Sequence, residues 1–105
     1  MTAQRYNTAV VPALGSRVLV RFNFCDEEGN IVEKQQFQGE ITSITEGEVI
    51  IKHPSSGQEV SLPPHFGSYE RPPKGDYELP STGELITDPD YITEWTLRAS
   101  SGAPR

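Results

Sequence analysis

The chain has 105 residues, room for one domain, and its hydrophobic fraction of 34% predicts a thin core with some loosely held chain. No stretch approaches the ~20 apolar residues of a membrane span, and the polar start, Met1 to Ala13, has no apolar run of the kind an export signal needs. The net charge of −6 lies in the last quarter, where Asp76, Glu78, Glu84, Asp88, Asp90 and Glu94 stand between 75 and 97 with no lysine or arginine, which argues against nucleic acid and anionic membrane as partners.

Residues 1–14 read as a loose lead-in. Gly15-Ser16 opens the run Arg17 to Phe24, rich in β-branched and aromatic residues. Val18, Val20, Phe22 and Phe24 share one face at a period of two, and Leu19, Arg21 and Asn23 the other. Asp26-Glu-Glu-Gly-Asn30 is a polar turn. Ile31 to Gln36 reads as a weak strand or an extended loop, and Phe37-Gln-Gly-Glu-Ile41 as a further strand, with a break at Glu46-Gly47. Strands at 49–53 and 59–62 flank the turn Pro54-Ser55-Ser56-Gly57.

Pro63-Pro64 ends the fourth strand, because proline cannot donate to a ladder. An irregular connector with His65, Phe66 and Tyr69 leads to Asp76–Leu79, a second turn Pro80-Ser81-Thr82-Gly83, and Glu84–Ile86. The two turns are near copies, with proline for the first corner and glycine for the left-handed residue. Beyond them, Asp88-Pro89-Asp90 could cap a short helix, but alternation of Tyr91, Thr93, Trp95 and Leu97 favours a strand. Residues 98–105 read as a disordered tail. The expected architecture is all-β, a single domain over 15–97 with a small barrel at 15–66 and an added hairpin at 75–97.

The strand of Arg17–Phe24, the loop, Phe37-x-Gly39-x-Ile41, Val49-x-Ile51, the tight hairpin and Val60-x-Leu62 resemble the SH3-like barrels of the Tudor type. The resemblance covers residues 15–66 and implies a binding module, either an aromatic cage for a methylated cation or a groove for an extended peptide. Phe24, Phe37, Phe66 and Tyr69 are the candidate aromatics, though Phe24 and Phe37 also suit a core. A second resemblance is to PilZ barrels that bind cyclic dinucleotides, through the spacing Arg17-x-x-x-Arg21. Here those arginines stand inside a strand, and Ser43 to Gly47 lacks the acid of the family's second motif.

Leu79-Pro-Ser-Thr-Gly83 also spells a sortase sorting signal, but the residues after it are acidic and polar, and its twin at 54–57 marks it as a hairpin tip. Cys25, His53 and His65 match no zinc spacing. Cys25 stands beside Asp26, Glu27 and Glu28, not in the basic surroundings of a catalytic thiol. Neither catalysis nor a cofactor is expected. One cysteine suits the reducing cytoplasm. The expectation is therefore a non-catalytic module for a protein or peptide partner, a basic one where it meets the acidic quarter, with Phe66, Tyr69, Asp76, Glu78, Asp88, Asp90 and Trp95 as its face. A ligand site at Arg17 and Arg21 is the alternative.

Overall fold

The computed structural model describes residues 12–98. Arg17–Cys25 (β1) turns back onto Ile31–Ile44 (β2) at Gly29, whose φ of +89° suits glycine. Asp26 Oδ1 accepts the amides of Glu28 and Asn30, each at 2.9 Å, and these bonds hold its carboxyl below the usual carboxylate range. Val49–Lys52 (β3) and Glu59–Leu62 (β4) follow, then a 3-10 turn at Phe66–Ser68 and the two-residue Tyr69–Glu70 (β5). Asp76–Leu79 (β6) and Glu84–Thr87 (β7) make the expected hairpin, and Tyr91–Arg98 (β8) is a strand, not a helix.

Both copied turns work alike. Gly57 donates to His53 O and Gly83 to Leu79 O, each glycine standing four residues past its acceptor with φ near +80° (+77° and +80°).

The fold is all-β, as expected. Six strands form one sheet in the order β4-β3-β2-β1-β8-β5, and β6-β7 form a separate ribbon. The sheet does not close into a barrel. The outer edge of β1 is taken by β8, running parallel from Val18↔Tyr91 to Cys25↔Arg98. The edge strand β5 has only two residues, and Pro63-Pro64 interrupts the chain after β4, so those two edges are not joined.

As β1 is central, both its faces are covered. Val18 and Val20 join Ile41, Val49, Ile51, Leu62, Tyr69 and Tyr91 in the main core. Leu19 points the other way and packs with Leu79 and Ile86, flanked by Tyr77 and Ile92. The hairpin therefore packs on the sheet, as read from the sequence. At its base Asp88, with φ +50°, accepts the Gly75 amide at 2.7 Å, and Asp90 Oδ2 accepts the Arg17 amide at 2.8 Å. The lead-in is anchored by Pro12, which is fully buried. The strand β8 runs one residue beyond the expected boundary at 97. The rest of the lead and tail, 1–11 and 99–105, lie outside the described residues.

The pair Ile31–Gln36 and Phe37–Ile41 is one continuous strand, not two segments. Its partners differ along its length. β1 pairs with Ile31 to Glu40, but β3 covers only Glu40 to Ile44. At Gly39 the chain passes so close to β3 that a Cβ would lie 2.7 Å from the Lys52 carbonyl carbon and 2.9 Å from Ile51 Cγ2, and closer still to the Lys52 oxygen.

Candidate functional site

The overhang of β2 past β3 creates the site. Ile41 donates its amide to Ser16, on the β1 side, so odd-numbered amides of β2 face β1 and even-numbered ones face outward. Gln36 obeys this rule: its outward amide donates to Ser81 Oγ at 2.9 Å. Lys34 points its amide and carbonyl the same way, and among the described residues no strand pairs with it there. Beside this edge lies a groove of about 450 Å³. Phe22, Phe37 and Val60 form its floor, all half-buried and packed on the main core. Its rim is polar, carrying Gln35, Gln58, Ser81 and Thr82.

The same face continues past the groove as an aromatic shelf. Phe22 stands opposite Trp95 and Phe24 opposite Leu97 in the β1–β8 register. Phe22 and Phe24 ring centroids are 6.2 Å apart, and His65 stacks on Trp95 at 6.4 Å. Half-buried rings in an open sheet end are apolar surface that a folded partner or peptide can cover.

One histidine ties the two copied turns into the rim. His53 Nδ1 accepts the amides of Ser55 and Ser56, both at 3.2 Å, so that nitrogen carries no proton. The proton sits on Nε2, which donates to Glu84 Oε2 at 2.8 Å. Ser55 Oγ lies 3.3 Å from Nδ1, so serine, histidine and glutamate meet in line. These are the residue types of a hydrolytic triad, but the nitrogen that would take the serine proton already accepts two amide donors. The arrangement caps a turn and latches the hairpin to β3. Gln36 adds a second latch by accepting the Ser81 amide at 2.8 Å.

The Glu84 carboxyl is held below its ordinary value of 4.5, first by the Gln38 amide and then by His53. A depressed folded pKa contributes stability above pH 4.5, lost as pH falls through the folded value. Glu84→Gln therefore differs most from the parent near neutrality, by less than about 1 kcal/mol for a carboxylate about a third exposed, and the gap closes below pH 4.5. Urea midpoints at pH 6 and pH 3.5 check this.

The residues expected to form a partner face separate into different places. Tyr69 is 2% exposed, part of the main core, with its hydroxyl pushed up to about 12 by burial. It cannot meet a partner in this fold. Phe66 is half-buried and packs edge-on against Tyr69, 6.2 Å between centroids. Trp95 also packs on the core, with its Nε1 buried and unbonded, so docking outweighs display. Asp76 accepts the Thr87 hydroxyl at 2.7 Å, and Asp88 and Asp90 hold the hairpin base, which leaves Glu78 as the acid exposed without such a bond.

No protein-family model matches the chain, and no curated protein or solved structure does either. The site is therefore read from geometry alone.

The arginine pair also divides. Arg17 donates through Nη1 to Asp88 O at 3.2 Å and serves the hairpin base, while Arg21 is exposed on the face opposite the main core. Among the described residues no three histidine, cysteine, aspartate or glutamate side chains converge on a metal position, and no helix is long and apolar enough to cross a membrane. Reading the sequence missed Gln35, Gln58 and Val60. The alternation of Phe22 and Phe37 was visible, but a groove needed the knowledge that β2 outruns β3.

Proposed function

We propose that this chain is a non-catalytic module that binds an extended peptide in the groove between the β2 edge and β4. The observation that carries the reading is the outward-facing backbone of Lys34 beside a floor of Phe22, Phe37 and Val60. A peptide laid there forms main-chain bonds to Lys34, as in strand addition, and places alternate side chains on the rings. The glutamine rim offers amides to the peptide's remaining backbone groups. This use of an aromatic floor agrees with the peptide groove that the SH3-like resemblance implies. The net charge of −6 favours a basic segment at low salt. Cys25, buried and unpaired, suits a reducing compartment, the cytoplasm.

A display library of random peptides selected against the full chain tests this. Lys34→Pro removes the outward amide and leaves the bonds of β2 to β1 intact, since odd residues make those. Losing the one main-chain bond that this amide donates, at roughly 1.4 kcal/mol, weakens a selected peptide about tenfold, while Lys34→Ala leaves it within about threefold. Selection of no peptide, or equal binding by Lys34→Pro and Lys34→Ala, refutes the proposal.

A further inference from the structure

The sheet has a second overhang, on its other margin. β8 pairs with β1 along its whole length, from Tyr91 to Arg98, but β5 covers it only at Ile92 and Thr93. Asp90 donates its amide to Arg17 O, so even-numbered amides of β8 face β1 and odd-numbered ones face away. Thr93 obeys this rule by pairing outward with Tyr69. Trp95 and Leu97 point their backbone groups the same way, and among the described residues no strand or loop backbone bonds them there. An unpaired edge of this kind is a template for another strand.

The side chains along this edge say which strand. Trp95 and Leu97 share the main-core face of β8, and Glu94, Thr96 and Arg98 the other. Glu94, Thr96, Leu97 and Arg98 are exposed, and Trp95 is half-buried. Laid antiparallel to itself and centred on Thr96, the segment is self-complementary. Glu94 falls opposite Arg98 of the second copy, and Arg98 opposite its Glu94. Trp95 and Leu97 fall opposite one another on the aromatic face, and Thr96 meets Thr96 at the two-fold axis. Opposite charges, an aromatic against an aliphatic, and paired threonines are each favourable across strands.

Neither charge is met inside its own chain. Among the described residues the one ion pair within 4.0 Å is His53–Glu84. Glu94 accepts the side-chain amide of Asn23 at Oε2, which leaves Oε1 for a cation, and the Arg98 guanidinium lies beside Gly29. We infer that β8 pairs with β8 of a second copy, joining two sheets edge to edge about a two-fold axis at Thr96. Trp95 and Leu97 of each copy exchange main-chain bonds with Leu97 and Trp95 of the other. The strand β5 sets the register. Centring the pair on Trp95 instead brings Leu97 of the second copy against Thr93, whose outward groups Tyr69 already holds. The Lys34 edge lies on the other side of β1 and stays open in this dimer.

Sedimentation of the full chain at concentrations up to about 1 mM tests this, with a Kd of about 10–100 μM expected for so short an edge contact. Arg98→Glu changes an exposed side chain at the end of β8 and sets glutamates against one another, weakening the dimer at least about tenfold. Glu94→Arg sets arginines against one another, with the same effect. An equimolar mixture of the two variants restores a dimer with one copy of each, because every like pair becomes an unlike one. Neither misfolding nor a contact elsewhere on the surface produces that rescue. A chain that stays monomeric at about 1 mM, a dimer unchanged by Arg98→Glu, or a mixture of the folded variants that stays monomeric overturns the inference.

Discussion

Gly39→Ala is expected to lower stability by about 3 kcal/mol, the upper end for forcing atoms into a packed site, and the melting temperature by roughly 15 °C. The obstacle is backbone. A Cβ at 39 meets the Lys52 carbonyl carbon at 2.7 Å, and no rotamer change relieves a clash with main chain. Either β2 or β3 must shift, and their shift opens the ladder at Glu40↔Lys52 and Ile41↔Ile51. Ile41 and Ile51 are both in the main core, so the damage spreads there. Urea denaturation of the variant measures this. A midpoint equal to the parent's contradicts the close approach of the two strands.

Leu79→Ala is expected to lower stability by about 3 kcal/mol, within the range for deleting a fully buried leucine. Leu79 is buried completely and fills the second core with Leu19 and Ile86. Leu19 lies on β1, the central strand, so the hairpin covers a face that the sheet cannot leave bare. The variant should unfold in one transition with the parent's denaturant slope, because hairpin and sheet share that core. A smaller slope, with a separate early loss of hairpin signal, shows instead that the ribbon is a detachable appendage.

Much of this fold was legible. The alternation Val18, Val20, Phe22 named the main-core face of β1, and Leu19 the other. Both turns announced themselves through proline and glycine, and the acidic quarter carried a recognisable hairpin. What was hidden is non-local. Nothing in Tyr91–Arg98 says that it lies parallel to β1, and that insertion is what leaves the sheet open. The run Ile31 to Gln36 left a weak strand and an extended loop both open because it is polar, and it is polar because it overhangs its neighbour and meets solvent. Tyr69 read as a connector aromatic because nothing local signals a two-residue strand. The acids Asp76, Asp88 and Asp90 looked like a surface charge cluster, yet each closes a bond within the hairpin or at its base. The candidate groove has the same cause as the polarity of that run. It exists because β2 is long where β3 and β4 are short.

The central claim is that a peptide pairs with β2 at Lys34. Amide hydrogen exchange at that residue, with and without a selected peptide, tests it most directly. In the free chain the Lys34 amide faces outward with no strand partner among the described residues and should exchange quickly, in contrast to Gln35, which bonds across to β1. With peptide bound, the account predicts that Lys34 slows by at least about tenfold. A Lys34 amide that exchanges equally fast in the complex contradicts strand addition at this edge.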